Sequence, residues 1–126
     1  MRKPSGGRRR FLRSKRKFEM GREPAHTRLG EFKKIVLRVR SGMFKHRPYQ
    51  LNKVNVYDPK TKKSVLTDIE GVEDTPASRH FKRSNIITKS AILKTKVGYA
   101  VVTNRPGQEG HIQARIVKFE PVKKKE

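Results

Sequence analysis

Asp68 and Glu70 are the residues of this chain best placed by type and spacing to do chemistry. Two carboxylates at i and i+2 on an alternating segment share one face of a strand, and such a pair can hold a magnesium ion for phosphodiester cleavage. They belong to a window, residues 64–78, that also holds Glu73 and Asp74 and contains no Lys or Arg. No third ligand or general base accompanies them in sequence. The competing readings are a face turned away from a polyanion or toward another protein, or simple solubility. His26, His46, His80 and His111 are scattered singly, none in the H-x-x-x-H or H-E-x-x-H spacing that puts two ligands on one helix face, so no metal site is expected. Arg105-Pro106-Gly107-Gln108-Glu109-Gly110 resembles a phosphate loop only in its glycines. It lacks the G-K-[ST] ending and reads as a turn between strands. With no cysteine anywhere, disulfides, thiolate zinc sites and Cys nucleophiles fall away, which fits a reducing compartment. No Ser-His-Asp arrangement can be argued from spacing, because a triad is defined by geometry. No catalytic group, metal or cofactor is therefore expected.

The chemistry that the composition does support is charge. The chain carries 33 Lys and Arg against 11 Asp and Glu, a formal net charge of +22 on 126 residues. Every compact state of such a chain repels itself, so the charge is expected to meet a dense polyanion, of which phosphate backbones are the commonest. The excess is densest at the front, where residues 1–28 hold eleven Lys or Arg against Glu19 and Glu23. Pro4 and Gly6-Gly7 break regular structure there, and Arg8-Arg9-Arg10 and Lys15-Arg16-Lys17 repel one another unless something neutralises them. Arg binds phosphate bidentately and stacks on bases, which makes Arg8, Arg9, Arg10, Arg13 and Arg22 the leading candidate contacts, whereas Lys15 and Lys17 act as point charges. Arg2, Lys3, Arg16 and Arg28 complete the arm's candidates. Gly6-Gly7 and Gly21 would allow close backbone approach or positive φ. Phe11, Leu12, Phe18 and Met20, interleaved with the charges, either pack on the protein's own surface or wedge against RNA bases.

The elements that must position these charges begin after residue 29. Ile35, Leu37 and Val39 alternate with Arg38 and Arg40, which predicts a strand with an apolar face toward the core and a basic face extended by Lys45 and Arg47. Ser41-Gly42 offers a tight turn into a partner strand. Leu51, Val54, Val56 and Tyr57 mark another strand, ended by Asp58-Pro59-Lys60. Residues 63–70 alternate through Val65, Thr67 and Ile69. Asp74-Thr75-Pro76 has the form of a helix start, with Thr75 as cap and Pro76 at the first position, predicting a short helix over about 76–82. Ile86-Ile87, residues 91–96, residues 99–103 and residues 112–119 read as further strands, the last alternating through Ile112, Ala114 and Ile116. Hydrophobic residues make up 33% of the chain, so the core must be small. Short strands, Gly/Pro turns and one short helix favour an all-β class: a small β-barrel-like domain over residues 29–122, an extended basic arm over 1–28 and a basic end over 123–126 around Lys123-Lys124-Lys125. No stretch reaches the length of a membrane span, and no apolar segment follows the basic N-terminus as in a signal peptide, so a soluble cytosolic protein is expected.

Specific residues narrow this further. Arg2-Lys3-Pro4-Ser5-Gly6-Gly7-Arg8, the run from Lys15 through Met20-Gly21-Arg22-Glu23-Pro24-Ala25, and Thr27-Arg28-Leu29-Gly30 resemble the small-subunit ribosomal protein eight family of archaea and eukaryotes, in its shorter, archaeal-length form. Arg38-Val39-Arg40-Ser41-Gly42-Met43-Phe44-Lys45 and Asn85 through Thr95 continue the resemblance across essentially the whole chain. The family implies a β-barrel-like body, an N-terminal arm threading into small-subunit ribosomal RNA, and a structural role without catalysis. It also implies one copy per small subunit in the cytoplasm, beside neighbouring small-subunit ribosomal proteins, with no membrane or small-molecule substrate. Two other readings make different demands. A general nucleic-acid binder of chromatin type would hold duplex DNA and folded RNA alike, and an RNA-processing enzyme would need metal-dependent turnover lost at Asp68 or Glu70.

Overall fold

The computed structural model describes residues 2–10 and 13–119. Its centre is a closed barrel of five strands, β4 (Lys53–Asp58), β5 (Lys63–Asp74), β6 (Ile92–Thr95), β7 (Gly98–Val102) and β8 (Gln113–Ile116). Consecutive strands pair antiparallel, and β8 closes the ring by pairing parallel to β4, with Val56 opposite Ala114. Closure leaves no unpaired edge within the barrel. Alternation decides what fills it. Val54 and Val56 of β4, Leu93 of β6, Ala100 and Val102 of β7, and Ala114 of β8 are buried, while residues between them such as Asn55 and Lys94 face out. Ile69 and Val72 of β5 join them across a bulge in the β5–β6 pairing. Two alanines among these inward positions suit a bore too narrow for large side chains on every strand. The β4–β5 turn is held by Asp58, whose carboxylate accepts from the Lys60 backbone N at 2.9 Å and from the Thr61 hydroxyl at 3.0 Å.

A second, three-stranded sheet stands beside the barrel. β2 (Lys33–Arg38) and β3 (Phe44–Leu51) form an antiparallel hairpin, and β1 (Arg28–Leu29) pairs parallel with the end of β3. The expected turn is present: Ser41 and Gly42 both take positive φ, 66° and 75°, the twist that matches two right-handed strands. The base of this ribbon is anchored, since Pro48 and Leu51 of β3 are buried. The rest projects. Ile35 is 45% exposed and Val39 36% exposed, and Leu37 alone of that row is half-buried. The expectation that Ile35, Leu37 and Val39 form a core face is thus corrected. Strand alternation is correct, but the face it produces lies outside the closed barrel, which five other strands already fill.

Helices also depart from expectation. β5 runs on to Asp74, and the buried Thr75 hydroxyl accepts from no backbone N–H among the described residues, so Thr75 caps no helix. Ser78 caps instead, accepting from the His80 backbone N at 3.2 Å, and α1 spans Arg79–Arg83. Asn85, at φ 49°, ends it in the left-handed region. The segment read as a turn at residues 105–110 contains a second short helix, α2 (Pro106–Glu109), with Pro106 at its first position and Gly110 at φ 85° closing it. Asn104 holds that corner together, donating to Glu109 and to the His111 carbonyl and accepting from the Gln113 backbone N. Ile86 and Ile87 are buried but form no strand. Ile86 makes a single bridge to Arg28, and the Ile87 N–H donates to the Thr27 carbonyl.

Candidate nucleic-acid interface

The arm presents its charge in two local folds. Lys3 N donates to the Gly7 carbonyl at 2.8 Å and Gly6 N to the Lys3 carbonyl at 2.9 Å, with Gly6 at φ 80°. This turn brings Arg2 opposite Arg8, and the Arg2 guanidinium donates to the Gly6 carbonyl at 2.9 Å. Arg9 and Arg10 follow, exposed. A single 3-10 turn over Lys17–Glu19 forms the second fold. Glu19 accepts from both terminal nitrogens of Arg13 at 2.8 and 2.7 Å and from the Arg16 backbone N at 3.0 Å. The Arg13 guanidinium, and next the Arg16 N–H, hold the Glu19 carboxyl below the usual carboxylate range. Around these folds Lys15, Arg16 and Lys17 are exposed, as are Phe18, at 78%, and Met20. Phe18 and Met20 therefore do not pack on the protein's own surface. Phe11 and Leu12 lie outside the described residues, as does the Lys123–Lys125 end.

From Arg22 the arm runs along the ribbon. Arg22 reaches the Arg38 carbonyl at 3.5 Å, Arg47 donates to the Glu23 carbonyl at 2.9 Å, and the buried Thr27 hydroxyl donates to the Pro48 carbonyl at 2.8 Å. Lys45 donates to the Gln108 side chain of α2. Lys45 and Arg47 lie opposite Leu37 and Ile35 across the β2–β3 pairing, so their stems share that face with the two aliphatic side chains. Arg38 pairs across with Phe44, and Arg40 lies in the turn beside Met43. Phe44 and Met43 are 65% and 67% exposed. The candidate cations thus fall into a distal arm, a seam where arm meets ribbon, and a ribbon tip where arginine stands beside exposed apolar side chains. Arg28 is exposed on β1, near the seam.

The acidic window has a different outcome. Asp68 accepts from the Lys96 ammonium at 2.6 Å and Glu70 sits 3.1 Å from the Lys94 ammonium, both across the β5–β6 pairing. The Lys96 hydrogen bond, and then its charge, hold the Asp68 carboxyl below its usual range. The same pairs push Lys94 and Lys96 up. Each carboxylate is occupied by its own lysine, and no group of three or more potential metal ligands gathers among the described residues. The window thus neutralises Lys94 of β6 and Lys96 of the turn that follows it. Sequence reading assigns no role to α1, yet its Arg79, Lys82 and Arg83 are all exposed. The signal, basic residues at i, i+3 and i+4, becomes legible only once the helix is placed correctly.

A small closed barrel joined to a cation-rich arm and ribbon, in a chain of net charge +22, is the build of a small basic protein whose charge lies outside its core. The comparisons agree on the assembly. A family model described as "Ribosomal protein S8e" matches residues 1–117. The chain is 45% identical over 114 residues to the small ribosomal subunit protein eS8 of Methanobrevibacter smithii, covering 90% of this chain and 91% of that one. It is 42% identical over 116 residues to the eS8 of Methanosarcina barkeri, covering 92% and 93% of the two chains. The eS8 of Nanoarchaeum equitans is 45% identical over 105 residues, 83% of each chain. The chain belongs to the S8e family of ribosomal proteins, in its archaeal type, and is a ribosomal protein, not an enzyme.

Proposed function

We propose that this protein, a structural constituent of the cytoplasmic small ribosomal subunit, binds and stabilises folded small-subunit ribosomal RNA through residues 1–28 and cations on both faces and the turn of the ribbon, Lys45 and Arg47 on the face of Ile35 and Leu37, and Arg38 on the other. The contacts are Arg2, Lys3, Arg8, Arg9, Arg10, Arg13, Lys15, Arg16, Lys17, Arg22 and Arg28 of the arm with Arg38, Arg40, Lys45 and Arg47 of β2, its turn and β3. One observation carries the reading. Apart from Lys15, which has a contact of its own, Arg13 is the one member of this set in an ion pair among the described residues. Acids are present in the chain, but Asp68 and Glu70 are taken up by Lys96 and Lys94 on the barrel. Cations left without acids are the half of a phosphate interface that a protein can supply.

The arm is the economical way to use them. It has no core to protect, so it can enter clefts between RNA helices, and ordering it at roughly 1–2 kcal/mol per residue is offset only where many charge-assisted contacts and released counterions are gained. Recognition then follows RNA shape and backbone more than base sequence. Phe18 and Met20 in the arm, and Met43 and Phe44 at the ribbon tip, supply the apolar contacts for unstacked bases or for a neighbouring ribosomal protein.

Binding of the full chain to small-subunit ribosomal RNA, measured across a salt series, tests the proposal. Affinity is expected to fall steeply, with a log–log slope of about −0.7 to −0.9 for each phosphate neutralised. Removing residues 1–22 is expected to flatten that slope while leaving the melting transition of the body in place. A salt-insensitive affinity, or a slope unchanged by the deletion, would sink it.

A further inference from the structure

The geometry points to a second phosphate-binding surface, formed by Arg79, Lys82 and Arg83 on the outer face of α1 and continued by Lys89 and Arg105 on the groove beside it, which holds the backbone of the same ribosomal RNA without help from residues 1–22. The inference rests on the RNA-binding reading above and adds a site which that reading does not contain.

α1 has five residues, too few for a helix to hold itself. Its hold on the body is local. Ser78 caps the start, the Ile86 N–H donates to the Phe81 carbonyl at 2.9 Å, and the Phe81 ring meets the His26 ring edge-on at 5.5 Å. With Phe81 turned inward, positions 79, 82 and 83 share the opposite, exposed face, because residues three and four apart on a helix are neighbours. All three are cationic there, and none is in an ion pair among the described residues. Like charges at i and i+4 weaken a helix. The five-residue helix sets Arg79 above Arg83 with Lys82 alongside, so one small face concentrates three like charges with no acid beside them.

Next to the helix, Phe81 and the base of the arm at residues 24–27 form part of a groove of about 420 Å³ that also includes Thr88, Lys89 and Arg105 and is shared at its far side with Arg47 of the ribbon. Lys89 and Arg105 are exposed and, like the helix cations, unpaired among the described residues. The Thr88 hydroxyl has no hydrogen-bond partner there either. The composition of this surface selects its occupant. No large hydrophobic side chain between Leu66 and Val97 is exposed, so the apolar anchor on which a protein partner would dock is missing, and lysine is depleted from the centres of such interfaces. Clustered guanidinium and ammonium groups with polar side chains between them match a phosphate backbone.

The test is salt-dependent binding of the full chain to transcribed small-subunit ribosomal RNA by wild type, by the triple variant Arg79→Ala, Lys82→Ala, Arg83→Ala, and by the double variant Lys89→Ala, Arg105→Ala. The triple variant is expected to lose about two to three units of the magnitude of the log–log slope, and the double variant between about one and two. Relief of like-charge crowding should leave the melting temperature of the free triple variant equal to or above that of wild type. If wild type shows no salt-dependent binding, the parent reading falls and this site with it. If wild type binds and both variants keep its slope, the arm reading stands and the second surface is overturned, including the case where α1 meets a protein instead.

Discussion

Single side chains divide the cations into those already partnered and those waiting for a partner. Arg13 holds Glu19 through two hydrogen bonds, so an RNA phosphate must compete with a carboxylate for it, whereas Arg8, Arg9 and Arg10 face no such competitor among the described residues. Arg13→Ala should therefore reduce the salt slope of RNA binding by less than Arg9→Ala, which should reduce it by about one. Glu19→Gln, which frees Arg13, should raise affinity at low salt. Equal slopes for Arg9→Ala and Arg13→Ala would contradict this ordering. Asp68 gives a prediction in pH. Its carboxyl is held low by Lys96, so its contribution is present above the ordinary aspartate value, near about 3.9, and is lost as pH falls through the lowered one. Lys96 is pushed up by the same bond, so its share persists below the ordinary lysine value and is lost as pH rises through the raised one. Asp68→Asn should thus melt slightly below wild type near neutrality, and the gap should close at both acid and alkaline extremes. An offset independent of pH would mean that packing, not charge, links the two strands.

At the level of elements, alternation was readable and destination was not. Leu93 and Ile35 sit on strands of the same period, yet Leu93 is fully buried and Ile35 is 45% exposed. What separates them is ring closure: β4 to β8 seal a barrel on themselves, and nothing in residues 33–39 announces that their strand lies outside it. Leu93→Ala should cost about 2–5 kcal/mol through lost burial and a residual cavity, while Ile35→Ala and Val36→Ala should each stay within about 0.5 kcal/mol. Chemical denaturation of the three variants decides it, and a comparable loss at Ile35 would place the ribbon face in a core. The helix start shows the same limit on a smaller scale. Thr75-Pro76 and Ser78 both carry capping chemistry, and the choice between them depends on how far β5 continues, which is set by its pairing with β6 through Asp74 and Ile92. By contrast, Asp58-Pro59 and Ser41-Gly42 act through their own backbone preferences, and those turns fall where the sequence puts them. The arm's cations were legible for the same reason, since charge needs no tertiary partner to be counted. The seam of Arg22, Glu23 and Arg47 was not, because it depends on the arm lying along β3.

For the whole molecule, the governing quantity is a net charge of +22 carried by a body with one small core. That charge has opposite consequences in the free and bound states. Free, the protein is a self-repelling object whose cations outnumber its acids threefold, and repulsion over distances beyond about 10 Å is screened once salt reaches roughly 0.1 M. The melting temperature of the free chain should therefore rise as salt is added. In the proposed RNA-bound state phosphates neutralise the same charges, and added salt returns counterions to the RNA and releases the protein, so affinity should fall over the same range. Ligand linkage joins the two: RNA at concentrations well above its Kd should raise the melting temperature at low salt, and this increment should shrink as salt increases. Calorimetry of the chain with and without small-subunit ribosomal RNA over one salt series measures both effects together. Deleting residues 1–22 should flatten both dependences, since the segment carries ten of the chain's cations and one acid. Cutting further, to residue 28, should also lower the melting temperature itself, because Thr27 is buried against Pro48, Ile87 donates to the Thr27 carbonyl, and Arg28 pairs with β3. A melting temperature that falls with salt in the free protein would mean that surface ion pairs such as Asp68–Lys96 outweigh the net repulsion, and that the positive charge is already balanced within the fold.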